Sequence, residues 1–199
     1  FIERLISRSE NEEVTRKRIG INYDCCHLAV EFEDAHKGLN SLKDHGIRLS
    51  KLHLSSALSA KPTLQNLERL KDFIEPVYLH QVAIGKNGKC VGRIKDLNLA
   101  IEAEQKGKLP QSDEWRVHFH VPLHASPGQN LGDTRIHVID TLLWLRKNPD
   151  ACKHLEMETY TWEILPKELQ TRSVIEQVGN EYRWTINQME KIGFCIEGN

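Results

Sequence analysis

The sequence predicts an α/β fold made of strand–helix units, specifically a (β/α)8 barrel. Four short strands are each followed by a helical pattern, an order that produces a parallel sheet. Polar side chains gather near the carboxyl ends of those four strands, which is typical of the active face of such barrels. At 199 residues, with 39% hydrophobic and 28% charged side chains, the chain can bury a sizeable core.

The first part of the chain predicts two of these units. Residues 31–45 place Phe32, Ala35, Leu39 and Leu42 on one helical face, and Gly46 suits the helix end. The alternation in IRLSKLHL is typical of a strand. The predicted elements are a helix over 1–17, a strand over 20–24, a helix over 31–45, a strand over 47–54 and a helix over 63–74.

The second part begins with a different pattern. Residues 77–94 predict a β-hairpin that turns at Asn87-Gly88, and Asp96 is a candidate helix cap. Further elements follow in the βα order: a helix after Asp96, a strand over 114–121, a helix over 133–147, a strand over 154–160 and a final helix over about 167–190.

Charge and cysteine content exclude several classes of protein. The net charge of −1 provides no overall field for nucleic acid or membrane surfaces, so we expect no nucleic-acid partner. No apolar run approaches the ~20 residues of a membrane span, and no signal peptide is visible. Five cysteines without a CxxC motif predict a reducing compartment and hence a cytoplasmic protein. Because Phe1 opens the chain, we expect processing or a longer parent protein.

The candidate functional residues are the polar side chains near the ends of the four predicted strands. Strand alternation places Arg116, His118 and His120 on one face, opposite Val117 and Phe119. The other strands contribute Asp24 with His27, His53, and Glu156 with Glu158. Carboxylate and imidazole ligands together suit a divalent ion such as Zn²⁺, Mn²⁺, Fe²⁺ or Co²⁺.

Each candidate also has a simpler interpretation. The segment DCCH could hold a metal-ligand pair, a redox cysteine pair or a catalytic Cys-His pair, or simply end a strand with Asp24 as a cap. Glu158 could pair with Arg116, and His80 could be an ordinary strand histidine. His120, nearest the end of its strand, is the candidate for direct contact with metal or substrate, and His118 could orient a ligand. The match among four strand ends favours the metal site.

Three segments resemble a known family. DCCH at 24–27, KLHLSS at 51–56 and HLEMETYTWEILP at 154–166 resemble the xylose-isomerase-like barrel superfamily, which includes sugar-phosphate isomerases, epimerases and type IV apurinic endonucleases. Within it, the chain looks most similar to the EboE metabolite-traffic family. The resemblance implies Asp24, His53 and Glu158 as metal ligands and His27 as a histidine that contacts substrate, or a second metal in the nuclease branch, with His80 near another nuclease-type histidine. The strand positions add His120, His118 and Arg116 as candidate substrate contacts, and the expected chemistry makes Glu158 and His27 the candidate catalytic groups.

The resemblance also implies a domain organisation and a function. Residues 1–199 would form one domain, the C-terminal half of a barrel (about strands 5–8), with the hairpin near 77–94 as an insertion. The absent N-terminal half would supply a further glutamate. The implied function is metal-dependent isomerisation or epimerisation of a small metabolite, in processing or trafficking of a secondary-metabolite precursor, with peripheral membrane-protein partners. The alternatives are a non-catalytic metabolite carrier and an endonuclease-IV-like phosphodiesterase. Ser55-Ser56 and Tyr78 depart from the superfamily pattern, and Tyr78 weakens the nuclease alternative.

Overall fold

A computed structural model describes residues 1–128, 130–158, 161–167, 169–170 and 173–195. The helices are α1 Ile2–Ser7, α2 Glu12–Arg18, α3 Cys25–Val30, α4 Ala35–Asp44, α5 Leu64–Leu70, α6 Leu97–Gln105, α7 Arg135–Lys147 and α8 Val174–Lys191. The strands are β1 Ile21–Asp24, β2 Leu49–Leu54, β3 Ala57–Ala60, β4 Val82–Lys86, β5 Lys89–Ile94, β6 Glu114–His120, β7 Leu131–Asp133 and β8 Leu155–Met157. Two short 3₁₀ turns cover Lys71–Phe73 and Trp162–Ile164. Among these helices, none is long and apolar enough to cross a membrane.

One sheet is parallel and has three strands in the order β1-β2-β8. Its apolar face, with Tyr23, Leu52 and Leu54, packs on buried side chains of α4 and α7. The opposite face carries the alternate residues, which are polar. A parallel sheet is usually apolar on both faces, so this polar face is where chemistry is expected.

The second sheet is antiparallel and has five strands in the order β5-β4-β6-β3-β7. Trp115, Val117 and Phe119 of β6 turn toward a second core shared with α5 and α6. Only Ser55 and Ser56 separate β2 from β3, so the chain passes almost directly from one sheet to the other.

The predicted (β/α)8 barrel is wrong. The described strands form a three-stranded parallel sheet and a separate five-stranded antiparallel sheet, so half of a xylose-isomerase-like barrel is not indicated. The predicted strand over 114–121 exists, but β6 pairs antiparallel with β3 and β4. Its alternation of apolar and polar residues suits an antiparallel sheet with one covered face equally well, which is why the sequence pattern did not separate the two arrangements.

The hairpin predicted over 77–94 is present over the shorter range of β4 and β5, and it is not an insertion. β4 and β5 pair around Asn87 and Gly88, and β4 also pairs with β6, so the hairpin forms one side of the second sheet. Both turn residues have positive φ, 51° and 71°, as the type I′ turn of an Asn-Gly pair requires.

Several helices are shorter than predicted. The helix over 1–17 divides into α1 and α2, because Asn11 caps a new helix with its side chain on the Val14 N–H. The final helix begins at Val174, where Ser173 and Glu176 form a capping box. The part of the prediction at residues 168, 171 and 172 lies outside the described residues, as do residues 159 and 160 of the predicted strand over 154–160.

Candidate metal centre

A row of polar side chains crosses the polar face of the parallel sheet. Strand register places Asp24 beside His53, and His53 beside Glu156. Glu158 follows two residues after Glu156 and therefore lies on the same face, just past the end of β8. Three separate segments of the chain thus supply neighbouring carboxylate and imidazole groups.

The two carboxylate oxygens of Asp24 have different neighbours. Oδ1 accepts the His27 backbone N–H at 3.1 Å, which caps α3, and the Ser55 hydroxyl at 2.9 Å. Oδ2 faces His53 Nδ1 at 3.3 Å and His27 Nε2 at 4.0 Å. The cap interpretation of Asp24 is therefore correct for one oxygen, while the second oxygen points toward the candidate ligands.

His53 stands among three acidic groups, Asp24, Glu156 and Glu158. Its Nε2 lies 2.8 Å from Glu156 Oε2, and its Nδ1 lies 3.4 Å from Glu158 Oε2. Glu156 is further bound to Lys51 at 2.6 Å and His154 at 2.8 Å, and these contacts with Lys51, His154 and His53 lower its pKa to about 2. Glu156 thus holds the His53 ring in place from the side opposite Asp24.

Asp24 and Glu158 ionise very differently. Burial raises the pKa of Asp24, but the His27 side chain and backbone N–H outweigh it, so the pKa lies below its ordinary value. Burial, followed by the hydrogen bond and charge of Asp24, raises the pKa of Glu158 to about 7. The cause is the usual one for two close carboxylates, since both cannot be negative without a cation between them.

Three histidines from α3 and β6 extend the cluster. His27 lies edge-on to His118, with ring centroids 4.4 Å apart, and His118 and His120 are 5.6 Å apart. Nδ1 of His120 lies 3.6 Å from Glu158 Oε2. Burial lowers the pKa of His118 to about 4 and that of His120 to about 3, which keeps both imidazoles neutral and able to bind a metal.

Groups of ligand atoms converge closely enough to hold a metal ion. In each group the ligand atoms all lie within 4.8 Å of one another. The groups are Asp24, His53 and Glu158; Asp24, His27 and His120; and Cys26, His118 and His120. The first group is the ligand set expected from the sequence.

A cleft of about 640 Å³ opens beside this cluster. His27 and His118 line it on the side of the cluster, and Gln81, Lys95 and the ion pair of Arg93 with Glu31 line the remainder together with apolar side chains. Its lining is therefore polar, with charges of both signs, and it adjoins the candidate ligands.

Two predicted substrate contacts lie apart from the cluster, and Arg116 is the first. The Arg116 guanidinium binds Glu114 and the Ala29 carbonyl, and it covers the Phe32 ring at 4.0 Å. These contacts also leave the suggested Arg116–Glu158 pair without support.

His80, the second, is buried rather than exposed. Its Nε2 lies 3.0 Å from Glu75 Oε1, its Nδ1 lies 3.1 Å from the His118 carbonyl, and its ring packs on Phe119. His80 therefore supports β6 from the apolar side and does not reach the cluster.

Three contributors were undervalued in the sequence. Ser55, a departure from the family pattern, binds Asp24, and its place two residues after His53 on the same strand face could have indicated this. Glu156 orients His53 from the side opposite Asp24. Cys26 brings its sulfur near His118 and His120, and no local signal in the sequence separates it from its neighbour Cys25.

Comparison with known proteins found no matching protein-family model, no similar curated protein and no similar solved structure. The resemblance to the isomerase superfamily therefore stays a prediction.

Proposed function

We propose that this protein is a metal-dependent isomerase or epimerase of a small, sugar-like polyhydroxylated metabolite. The supporting observation is the convergence of Asp24, His53 and Glu158 within 4.8 Å on the polar face of the parallel sheet. The resemblance of the DCCH, KLHLSS and HLEMETYTWEILP segments to sugar isomerases and epimerases suggests the reaction class.

The donor set fits a divalent cation. Two carboxylates and one imidazole suit Zn²⁺, Mn²⁺, Fe²⁺ or Co²⁺. Oε2 of Glu158 is buried and lies 3.4 Å from His53 Nδ1 and 3.6 Å from His120 Nδ1, so it points at the other candidate ligand atoms. A bound ion would polarise a carbonyl or hydroxyl oxygen of the substrate.

Glu158 and His27 have the positions for the remaining tasks. Glu158 lies at the proposed ion and is the carboxylate that would move a proton at the carbon beside a substrate carbonyl. Isomerisation returns that proton to the neighbouring carbon, so no oxidant or reductant is consumed. His27, with 53% of its side chain exposed, reaches the cleft and could hold a substrate oxygen.

The test compares two capping aspartates. Asp24 caps α3 and Asp34 caps α4 through the same type of contact, and asparagine is also a good cap. We expect Asp24→Asn to lose metal from the first ligand set and to abolish turnover of an aldose–ketose and epimer panel, whereas Asp34→Asn keeps both. Elemental analysis and product detection by chromatography measure these outcomes.

The alternatives give different results in the same experiment. A metabolite carrier would bind metal and retain a panel compound without forming product. If the protein binds no metal and Asp24→Asn changes nothing, the proposal fails. The phosphodiesterase alternative gains no support, because His80 lies apart from the cluster on the Glu75 and Phe119 side.

A further inference from the structure

A second group of ligand atoms lies beside the first and shares none of its residues. Cys26 stands in the first turn of α3, and His118 and His120 project from the polar face of β6. We infer that Cys26, His118 and His120 form a separate site for a transition metal, with one thiolate and two imidazole ligands. This site does not depend on the proposed isomerase function.

The distances are close to those of a bound ion. The Cys26 sulfur and one ring nitrogen from each histidine all lie within 4.8 Å of one another. Ligand atoms around a tetrahedral zinc ion lie about 3.5 Å apart, given bonds of about 2.0 Å to nitrogen and 2.3 Å to sulfur. Movements of about 1 Å would bring the ligand atoms to these separations.

A hydrogen bond prepares one of the histidines for this role. The Nδ1–H of His118 donates to Gln81 Oε1 at 3.2 Å, which leaves the lone pair on Nε2. That Nε2 is buried and makes no hydrogen bond among the described residues. A buried imidazole nitrogen with an orientated lone pair calls for a partner, and a metal ion held with Cys26 and His120 would supply one.

This second site differs from the first in its burial and in the type of its ligands. Cys26 is fully buried among Val30, Ala57 and Ala83, and His120 is 2% exposed. The thiolate and imidazole ligands of this second site are softer than the carboxylate-rich first set and suit Zn²⁺ or Co²⁺, whereas the first set also accepts harder ions such as Mn²⁺. Three protein ligands leave a fourth coordination position, and the cleft at His118 and His27 gives an ion or substrate a route to it.

The adjacent cysteine supplies a matched control. Cys25 is equally buried, but its sulfur contacts Thr141 Oγ1 at 3.6 Å on the side of α7. Cys25→Ser and Cys26→Ser therefore make the same chemical change at neighbouring buried positions, and only the second removes a proposed ligand.

The experiment follows cobalt binding to the full chain. Co²⁺ bound by a thiolate gives a charge-transfer band in the near ultraviolet, which a carboxylate–imidazole site does not give. We expect the band in the wild type and in Cys25→Ser, and its loss in Cys26→Ser together with the loss of one zinc ion per chain. His53→Ala, which affects only the first site, should keep the band.

Two further measurements keep the inference falsifiable. If Cys26→Ser does not fold, as judged by circular dichroism, His118→Gln replaces it and should also lose the band. X-ray absorption of the zinc protein should show a sulfur neighbour at about 2.3 Å. The inference is overturned if wild-type protein saturated with Co²⁺ shows no thiolate band, and that result leaves the first site and the proposed function unaffected.

Discussion

Glu181 is a carboxyl group enclosed by the protein, with 3% of its surface exposed. Its Oε1 accepts the Leu123 backbone N–H at 3.1 Å, while Oε2 is buried without a hydrogen bond among the described residues. Burial raises the pKa of Glu181 to about 7, although the Leu123 N–H acts in the opposite direction. The folded protein therefore favours the protonated side chain.

Glu181 makes stability depend on pH in a defined direction. Because its folded pKa exceeds the ordinary value of 4.5, its contribution is fully present below about pH 4.5 and is lost as pH rises through about 7. We expect Glu181→Gln, which keeps the acceptor for Leu123, to raise the free energy of unfolding at pH 8 by about 1–3 kcal/mol and to change it little at pH 4.5. Urea unfolding at both pH values measures this.

The same helix provides the control. Glu190→Gln, at an exposed position of α8, should change the free energy of unfolding by less than about 0.5 kcal/mol at either pH. Equal effects of Glu181→Gln at pH 4.5 and pH 8 would show that the Glu181 carboxyl is not held protonated.

The three candidate metal ligands could be predicted from the positions of single residues at strand ends. Polar side chains at the carboxyl ends of parallel strands share one edge, and β1, β2 and β8 are parallel, so Asp24, His53 and Glu158 meet as expected. His80 and Arg116 do not reach the cluster because their partners are Glu75 and the Ala29 carbonyl. Neither contact leaves a local pattern in the sequence.

The hairpin is the element that the sequence predicts best. Asn87-Gly88 between two alternating segments is a local signal, and both residues adopt the left-handed conformation that the turn needs. In contrast, β7 has three residues within a stretch rich in Pro and Gly, which is too short to show a periodicity. A secondary-structure element is therefore predicted well where local turn residues, such as Asn87-Gly88, identify it.

Gly88→Ala tests that local signal. Gly88 has φ +71°, and a β-carbon added there would meet no neighbouring atom within 4 Å, so the cost comes from the backbone alone. We expect a loss of about 1 kcal/mol in the free energy of unfolding. Gly92→Ala is the control, because its β-carbon would make ordinary contacts of 3.4 Å with Ile84 and 3.5 Å with Pro110, without positive φ. A larger loss for Gly92→Ala than for Gly88→Ala would contradict the explanation.

The antiparallel direction of β6 could not be predicted from its own sequence, because it depends on which other strands pair with it. After Ser55 and Ser56 the chain leaves the parallel sheet, and β3 becomes the antiparallel neighbour of β6. Taken alone, each strand has the length and the alternation of apolar and polar residues expected of the strand in a βα unit. Only the pairing between segments about sixty residues apart distinguishes two packed sheets from a barrel, and that information is absent from any local window.

Phe32 joins the segment after α3 to the second sheet. Its φ of 61° is unusual for a residue with a side chain, and its ring lies under the Arg116 guanidinium at 4.0 Å. A β-carbon on Gly85 would lie 2.2 Å from Phe32 Cζ, so the ring occupies the space that the glycine leaves. This contact fixes α3, with Cys26 and His27, against β4 and β6.

Gly85→Ala should therefore displace the Phe32 ring and cost about 1–3 kcal/mol of unfolding free energy. The double-mutant cycle with Phe32→Ala separates this cause from strand propensity, because the Phe32→Ala background removes the ring that the added methyl group would meet. We expect Gly85→Ala to cost at least about 1 kcal/mol less in the Phe32→Ala background. An equal cost in both backgrounds would mean that the Glu114 carbonyl, 3.1 Å from the same β-carbon, limits the position and that Phe32 does not hold α3 against the second sheet.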